Sequence, residues 1–154
     1  MKDVLASANP RLTADISRAD CLVRAATGRP EWDSLFARVE APSIVQSWAY
    51  GEAKAACGGW CVERLVFERS GEPLAICQVL VKRVLGLPVA ARINRGPMFL
   101  GASPAIADVK AVYGALRRRW RFGRRGMLVI APGLAESDEH RAALGQRADQ
   151  VGID

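Results

Sequence analysis

Three runs of strand-forming residues, separated by turn residues, lie between Trp60 and Pro97 and predict a meander. The run from Val62 to Arg69 carries Val62, Leu65, Val66 and Phe67. Arg69-Ser70-Gly71-Glu72 supplies a turn, because Gly tolerates the positive φ of a tight hairpin. Leu74 to Val84 sets Leu74, Ile76, Gln78, Leu80 and Lys82 on one face. Ala75, Cys77, Val79, Val81 and Arg83 fall on the other. Both faces are largely apolar, which predicts a central strand covered on both sides. Gly86-Leu87-Pro88 turns the chain again, and Val89 to Asn94 runs back to stop at Arg95-Gly96-Pro97. Gly permits close backbone approach there, and Pro cannot donate to a continuing ladder. That end of the meander is the first place to look for function.

The flanking segments carry the longer period of helices. Cys21 to Ala26 predicts a short strand ended by Thr27-Gly28-Arg29-Pro30, and Pro30 opens a helix whose stripe is Trp32, Leu35, Phe36 and Val39. Ala41-Pro42-Ser43 breaks it. A second helix is expected from about Trp48 to Cys57, stopped by Gly58-Gly59. In it Tyr50, Glu52 and Lys54 interleave with Trp48, Ala49, Ala53 and Ala56, so polar groups lie close to a small-residue packing face. The plainest reading of Lys54 is a solvated cation. Ser103 and Pro104 read as N-cap and first residue of a helix carrying Ile106, Val109, Tyr113, Leu116 and Trp120 to a stop at Gly123. Met127 to Ala131 predicts a strand, and Ser137 to Gln146 a last helix. Met1 to Asp20 has no strong period and reads as an arm, which leaves residues 21–154 as one α+β domain.

Charge changes this picture more than composition does. The chain has 154 residues and a formal net charge of +6, and six of its arginines fall between Arg117 and Arg125. That balance favours anionic partners. Arg117, Arg118, Arg121 and Arg124 are candidate contacts to RNA or another anion, with Trp120 and Phe122 available to stack on bases. The competing reading is a solvated helix end with Trp120 in the core. Arg92, Asn94 and Arg95 suit a phosphate or carboxylate, or equally protect a strand edge by charge. Four cysteines and one histidine complete no zinc set, and Cys77 reads as a small buried apolar residue. Glu136, Asp138, Glu139 and His140 fit a helix's first turn without chemistry. No nucleophile elbow, Walker loop or dinucleotide fingerprint is present, and no catalytic residue stands out. Without a leader or an apolar run of membrane-spanning length, the expectation is a soluble, cytoplasmic protein.

Three segments resemble the N-terminal half of the FemABX family, the peptidoglycan-bridge aminoacyltransferases, whose halves are GNAT-like. They are Gln46-Ser47-Trp48-Ala49-Tyr50-Gly51-Glu52-Ala53-Lys54 leading through Gly59-Trp60 into a strand, then Arg95-Gly96-Pro97, then Leu128-Val129-Ile130-Ala131-Pro132. The resemblance covers roughly Ala41 to Leu134. It implies a partial GNAT-like fold with a mostly antiparallel central sheet between helices. The activity it implies is transfer of an acyl or aminoacyl group to an amine, with aminoacyl-tRNA or acyl-CoA as donor and a peptidoglycan precursor as acceptor. No metal, tightly bound cofactor or covalent enzyme intermediate is implied. Lys54 matches a lysine that contacts an anionic nucleotide–sugar in the family, and Arg92 and Arg95 join it as candidate substrate contacts. The family's second half, the last strands of a complete GNAT sheet and the GNAT pyrophosphate loop are absent. The chain is therefore expected to be truncated, with an open sheet edge near residue 131 through which it self-associates. The alternative is a non-catalytic basic module that binds RNA or an anionic surface.

Overall fold

The structure is a computed structural model and describes residues 21–123 and 127–132. The expected arm, the helix over Ser137 to Gln146, the Glu136–His140 cluster and Arg124 lie outside the described residues. Within them, strands β1 (Leu22–Ala25), β2 (Cys61–Arg69), β3 (Glu72–Val84), β4 (Leu87–Asn94), β5 (Met98–Phe99) and β6 (Met127–Ala131) form a single sheet. Three helices flank it: α1 (Arg29–Phe36), α2 (Trp48–Gly58) and α3 (Ile106–Gly123), with a 3-10 turn at Ile44–Gln46 before α2. The fold is α+β, as the sequence predicts. No helix among the described residues is long and apolar enough to cross a membrane.

The sheet runs β1-β2-β3-β4-β6, and every pair is antiparallel except β4 with β6. A parallel pair needs a crossover, and α3 supplies it. β5 pairs with β3 at Ala75 and Ile76, on the edge that β4 uses from Leu80 onward. β4 and β5 thus lie end to end along one side of β3, and the chain bulges out between them at Arg95 and Gly96.

One face of the sheet is dry. Leu65 and Phe67 of β2, Ala75, Cys77, Val79 and Val81 of β3, and Ala91 and Ile93 of β4 pack against Val109, Val112, Ala115, Leu116 and Trp120 of α3. Each large aliphatic or aromatic side chain fully buried there contributes about 1.5–3 kcal/mol. Burial pushes the Cys77 thiol far up, in keeping with an apolar role. Arg69 of β2 pairs with Asp108 in the first turn of α3.

The opposite face holds a smaller apolar cluster of Trp32, Leu35, Val39, Val66, Ile76 and Met98. Arg24 joins it to the sheet's edge, at 2.6 Å from Glu31 of α1 and 2.8 Å from Glu68 of β2. Glu31 also accepts from the Thr27 amide and hydroxyl. The Arg24 guanidinium, with help from Thr27, holds the Glu31 carboxyl down at about 2.

Three boundaries differ from the sequence reading. α1 ends at Phe36, so Val39 is buried from the turn beyond it. The β3–β4 turn is Leu85-Gly86, both at positive φ, so Leu87 and Pro88 already belong to β4. α3 starts at Ile106 and not at Pro104, because the first carbonyl to accept helical bonds is that of Ala105, from Asp108 and Val109.

Candidate functional site

The polar side of the sheet is organised by Gln46, which is 1% exposed. Where β4 leaves β3, the ladder lacks a strand, and the Gln46 carboxamide stands in for one. Its Oε1 accepts from the Gln78 amide at 2.6 Å, and its Nε2 donates to the carbonyls of Gln78 at 3.2 Å and Asn94 at 2.7 Å. The backbone of Gln46 is tied as firmly, donating to Ser43 and accepting from the Trp32 indole. Gly96 permits this insertion, since a Cβ on it would lie 2.9 Å from Gln46 Nε2. A buried amide with its hydrogen bonds made resists any other arrangement, because each lost partner leaves a desolvated group behind.

Helix α2 sits on the same face over charged side chains. Ser47 caps it by accepting from the Tyr50 amide, and Gly59 ends it in the left-handed region. Gly51 is the contact point, where a Cβ would come within 2.3 Å of Gln78 Oε1 and 2.6 Å of Arg64 Nη2. The Arg64 guanidinium stacks 3.5 Å from the centre of the Trp48 ring, and donates to the Trp48 carbonyl and Glu52. Lys82 donates to the Gly58 carbonyl at 2.9 Å, placing a cation at the negative end of the helix.

Beyond α2 this face continues onto β4 and becomes open. Arg92 lies directly opposite Leu80 and is exposed, and Asn94 follows on the same face. Arg92 Nε donates to Asn94 Oδ1 at 2.6 Å, which pre-orients its guanidinium. Arg95 is exposed and held at a φ of 47°, outside the ladder. Two of the residues singled out from sequence therefore stand together at the break in the sheet. Lys54 stands apart on α2, half-buried, with its ammonium 5.4 Å from the centre of the Tyr50 ring. Arg117 and Arg118 are exposed on the far side of the sheet, and Arg121 lies in the last turn of α3. Trp120 is 6% exposed, in the dry core and not available for stacking.

A concavity of about 420 Å³ lies beside β2, away from that break, lined in part by Trp48, Glu63, Arg64 and Arg119. Its arginines already serve the fold, Arg64 through Glu52 and Arg119 through Glu63. The break between β4 and β5 is the better candidate, because its cations face an open surface. Sequence reasoning missed Gln46 as the organiser of that site. Its carboxamide binds main-chain atoms of Gln78 and Asn94, which every residue carries, so no residue type in the strands signalled it.

No family model and no curated relative matches this chain. Among solved structures it is similar to the crystal structure of FemX, with a TM-score of 0.59 and 20% identity over 85% of this chain. The fold is FemX-like. The chain spans 31% of the length of FemX. A transcriptional regulator from Bacillus halodurans C-125 aligns over 87% of this chain and 93% of its own, at a TM-score of 0.45 and 17% identity.

Proposed function

We propose that this chain is the acceptor-binding portion of a Fem-type acyl- or aminoacyltransferase. The observation that carries the reading is the FemX-like fold over 85% of the chain. In this proposal Arg92 and Arg95 hold one anionic group of a peptidoglycan precursor and Lys54 on α2 meets a separate one, while the acyl donor, an aminoacyl-tRNA or acyl-CoA, is held by residues outside the chain. The open cationic end of β4 supports that role, since a guanidinium oriented by Asn94 suits a phosphate or carboxylate. The chemistry asked of this portion is modest. It orients an amine against an activated ester, and the gain comes from proximity and fixed dipoles.

The test is calorimetric titration of a soluble nucleotide–sugar-linked precursor into the chain. Arg92→Ala and Lys54→Ala should each weaken binding about tenfold, the loss expected for one charge-assisted hydrogen bond. Absence of binding by the unaltered chain at low salt, or unchanged affinity in both variants, contradicts the proposal. An RNA titrated in parallel separates the alternative, since RNA affinity should fall steeply with salt and respond to Arg117 and Arg118 instead.

A further inference from the structure

Among the described residues eight large hydrophobic side chains are exposed, and four of them form one hairpin tip. Val84 is 54%, Leu85 97%, Leu87 69% and Val89 43% exposed, all around the turn between β3 and β4. A fifth, Met127 at 65%, opens β6, where the register sets it beside Ala90 of β4. Scattered apolar residues on a surface need no explanation, but a contiguous projecting group does. The turn makes the point sharper. Leu85 and Gly86 have φ of 50° and 78°, the pair of positive values that two-residue hairpins normally meet with Asn-Gly or Gly-Gly. A leucine here is disfavoured by its backbone and by its exposure together.

The hairpin also carries a cation. Arg83 Nη1 donates to the Gly86 carbonyl at 3.0 Å and so braces the turn. Its other terminal nitrogen lies 3.6 Å from Glu63, and Arg119 of α3 approaches the same carboxylate at 3.6 Å. One carboxylate is thus shared by two guanidiniums, and the arginine-bearing end of α3 is brought to the hairpin's end of the sheet.

We propose that the β3–β4 hairpin inserts its tip into the surface of an anionic lipid bilayer. Leu85 and Gly86 form the turn itself, and the side chains of Val84, Leu85, Leu87 and Val89 surround it, with the Arg83 guanidinium drawn up to the Gly86 carbonyl. Apolar groups of interfacial anchors reach about 5–10 Å into the headgroup and acyl boundary, so Leu85 and Leu87 enter it, while Arg83 and Arg119, two charges against the one Glu63 carboxylate, leave a positive balance toward the lipid phosphates. The tip is convex, and a bilayer accepts a projecting finger without a preformed pocket. A second copy of the chain fits less well, because each copy carries a net charge of +6 and would bring its own cations to the contact. Anionic headgroups complement that charge.

The experiment is co-sedimentation of the full chain with vesicles of phosphatidylglycerol and phosphatidylcholine in equal parts, against phosphatidylcholine alone. The variant is Leu85→Asn with Leu87→Thr. Asn relieves the left-handed strain and Thr keeps the strand propensity, so the melting temperature should hold or rise while the apolar tip is lost. The expected result is pelleting with the anionic vesicles, reduced about tenfold or more in the variant by loss of inserted apolar groups. A Leu85→Trp variant should shift its emission to the blue on the same vesicles. Three results overturn the proposal. The first is no pelleting at low salt. The second is pelleting that the Asn and Thr substitutions leave unchanged, which would mean general adsorption of the arginines. The third is a concentration-dependent dimer abolished by the variant with no vesicle association, which would assign the tip to a second copy.

Discussion

The two faces of the sheet solve one problem in opposite ways. Against α3 the contact is dry and apolar, and against α2 it runs through Gln46, Arg64, Gln78 and Lys82. A dry interface depends on volume and tolerates substitutions that preserve it. A polar interface depends on each donor meeting its acceptor, and fails when one partner is removed. The dry face holds the domain together, and the polar face sets where β4 parts from β5 and leaves Arg92 and Arg95 exposed at the break.

Substitutions can break or sharpen that contrast. The largest effect is expected from Gln46→Leu, which keeps approximate size but leaves Gln78 and the Asn94 carbonyl without partners. Denaturant unfolding should register a loss of about 4 kcal/mol, the sum of two or three unmet buried groups. Leu116→Ala on the dry face should cost about 3 kcal/mol through its cavity, whereas Leu116→Met should cost less than about 1.5 kcal/mol. If Gln46→Leu were tolerated as easily as Leu116→Met, the two faces would not differ in kind.

Gly96→Ala should cost about 2 kcal/mol by crowding the Gln46 carboxamide. Combined with Gln46→Ala it should cost less than the sum of the single losses, and strict additivity would mean that the two sites are independent. The smallest effect belongs to the periphery. Glu31→Gln should lose about 1 kcal/mol at neutral pH through its weakened bonds to Arg24 and Thr27. Because the Glu31 carboxyl is held down at about 2 from an ordinary 4.5, its contribution is complete above 4.5 and disappears as pH falls through 2. The stability difference between the variant and the unaltered chain should close over that window.

The same contrast explains what was legible in the sequence. Period and burial coincide on the dry face, so Val79, Val81 and Leu116 are legible as core from spacing, while Trp120 had two readings and its burial decides for the core. The polar face depends on contacts between residues far apart in the chain, such as Gln46 with Gln78 and Asn94, which no local pattern encodes. β5 is two residues long and pairs beyond Arg95-Gly96-Pro97, where the meander is expected to stop, so its propensity carried no signal. The turn at Leu85-Gly86 starts one residue before the expected Gly86-Leu87-Pro88, because a leucine at positive φ contradicts every turn preference. Arg92 and Arg95 were legible as a pair at a strand end, while the partner that orients Arg92, Asn94, was named beside it without its role.

The most direct test of the central claim is an amide chemical-shift map of the isotope-labelled chain, titrated with a soluble nucleotide–sugar-linked peptidoglycan precursor. The largest changes are expected from Arg92 to Gly96 and around Lys54, with Arg117 and Arg118 unmoved. Changes confined to the arginines of α3, or none at the break between β4 and β5, would contradict it.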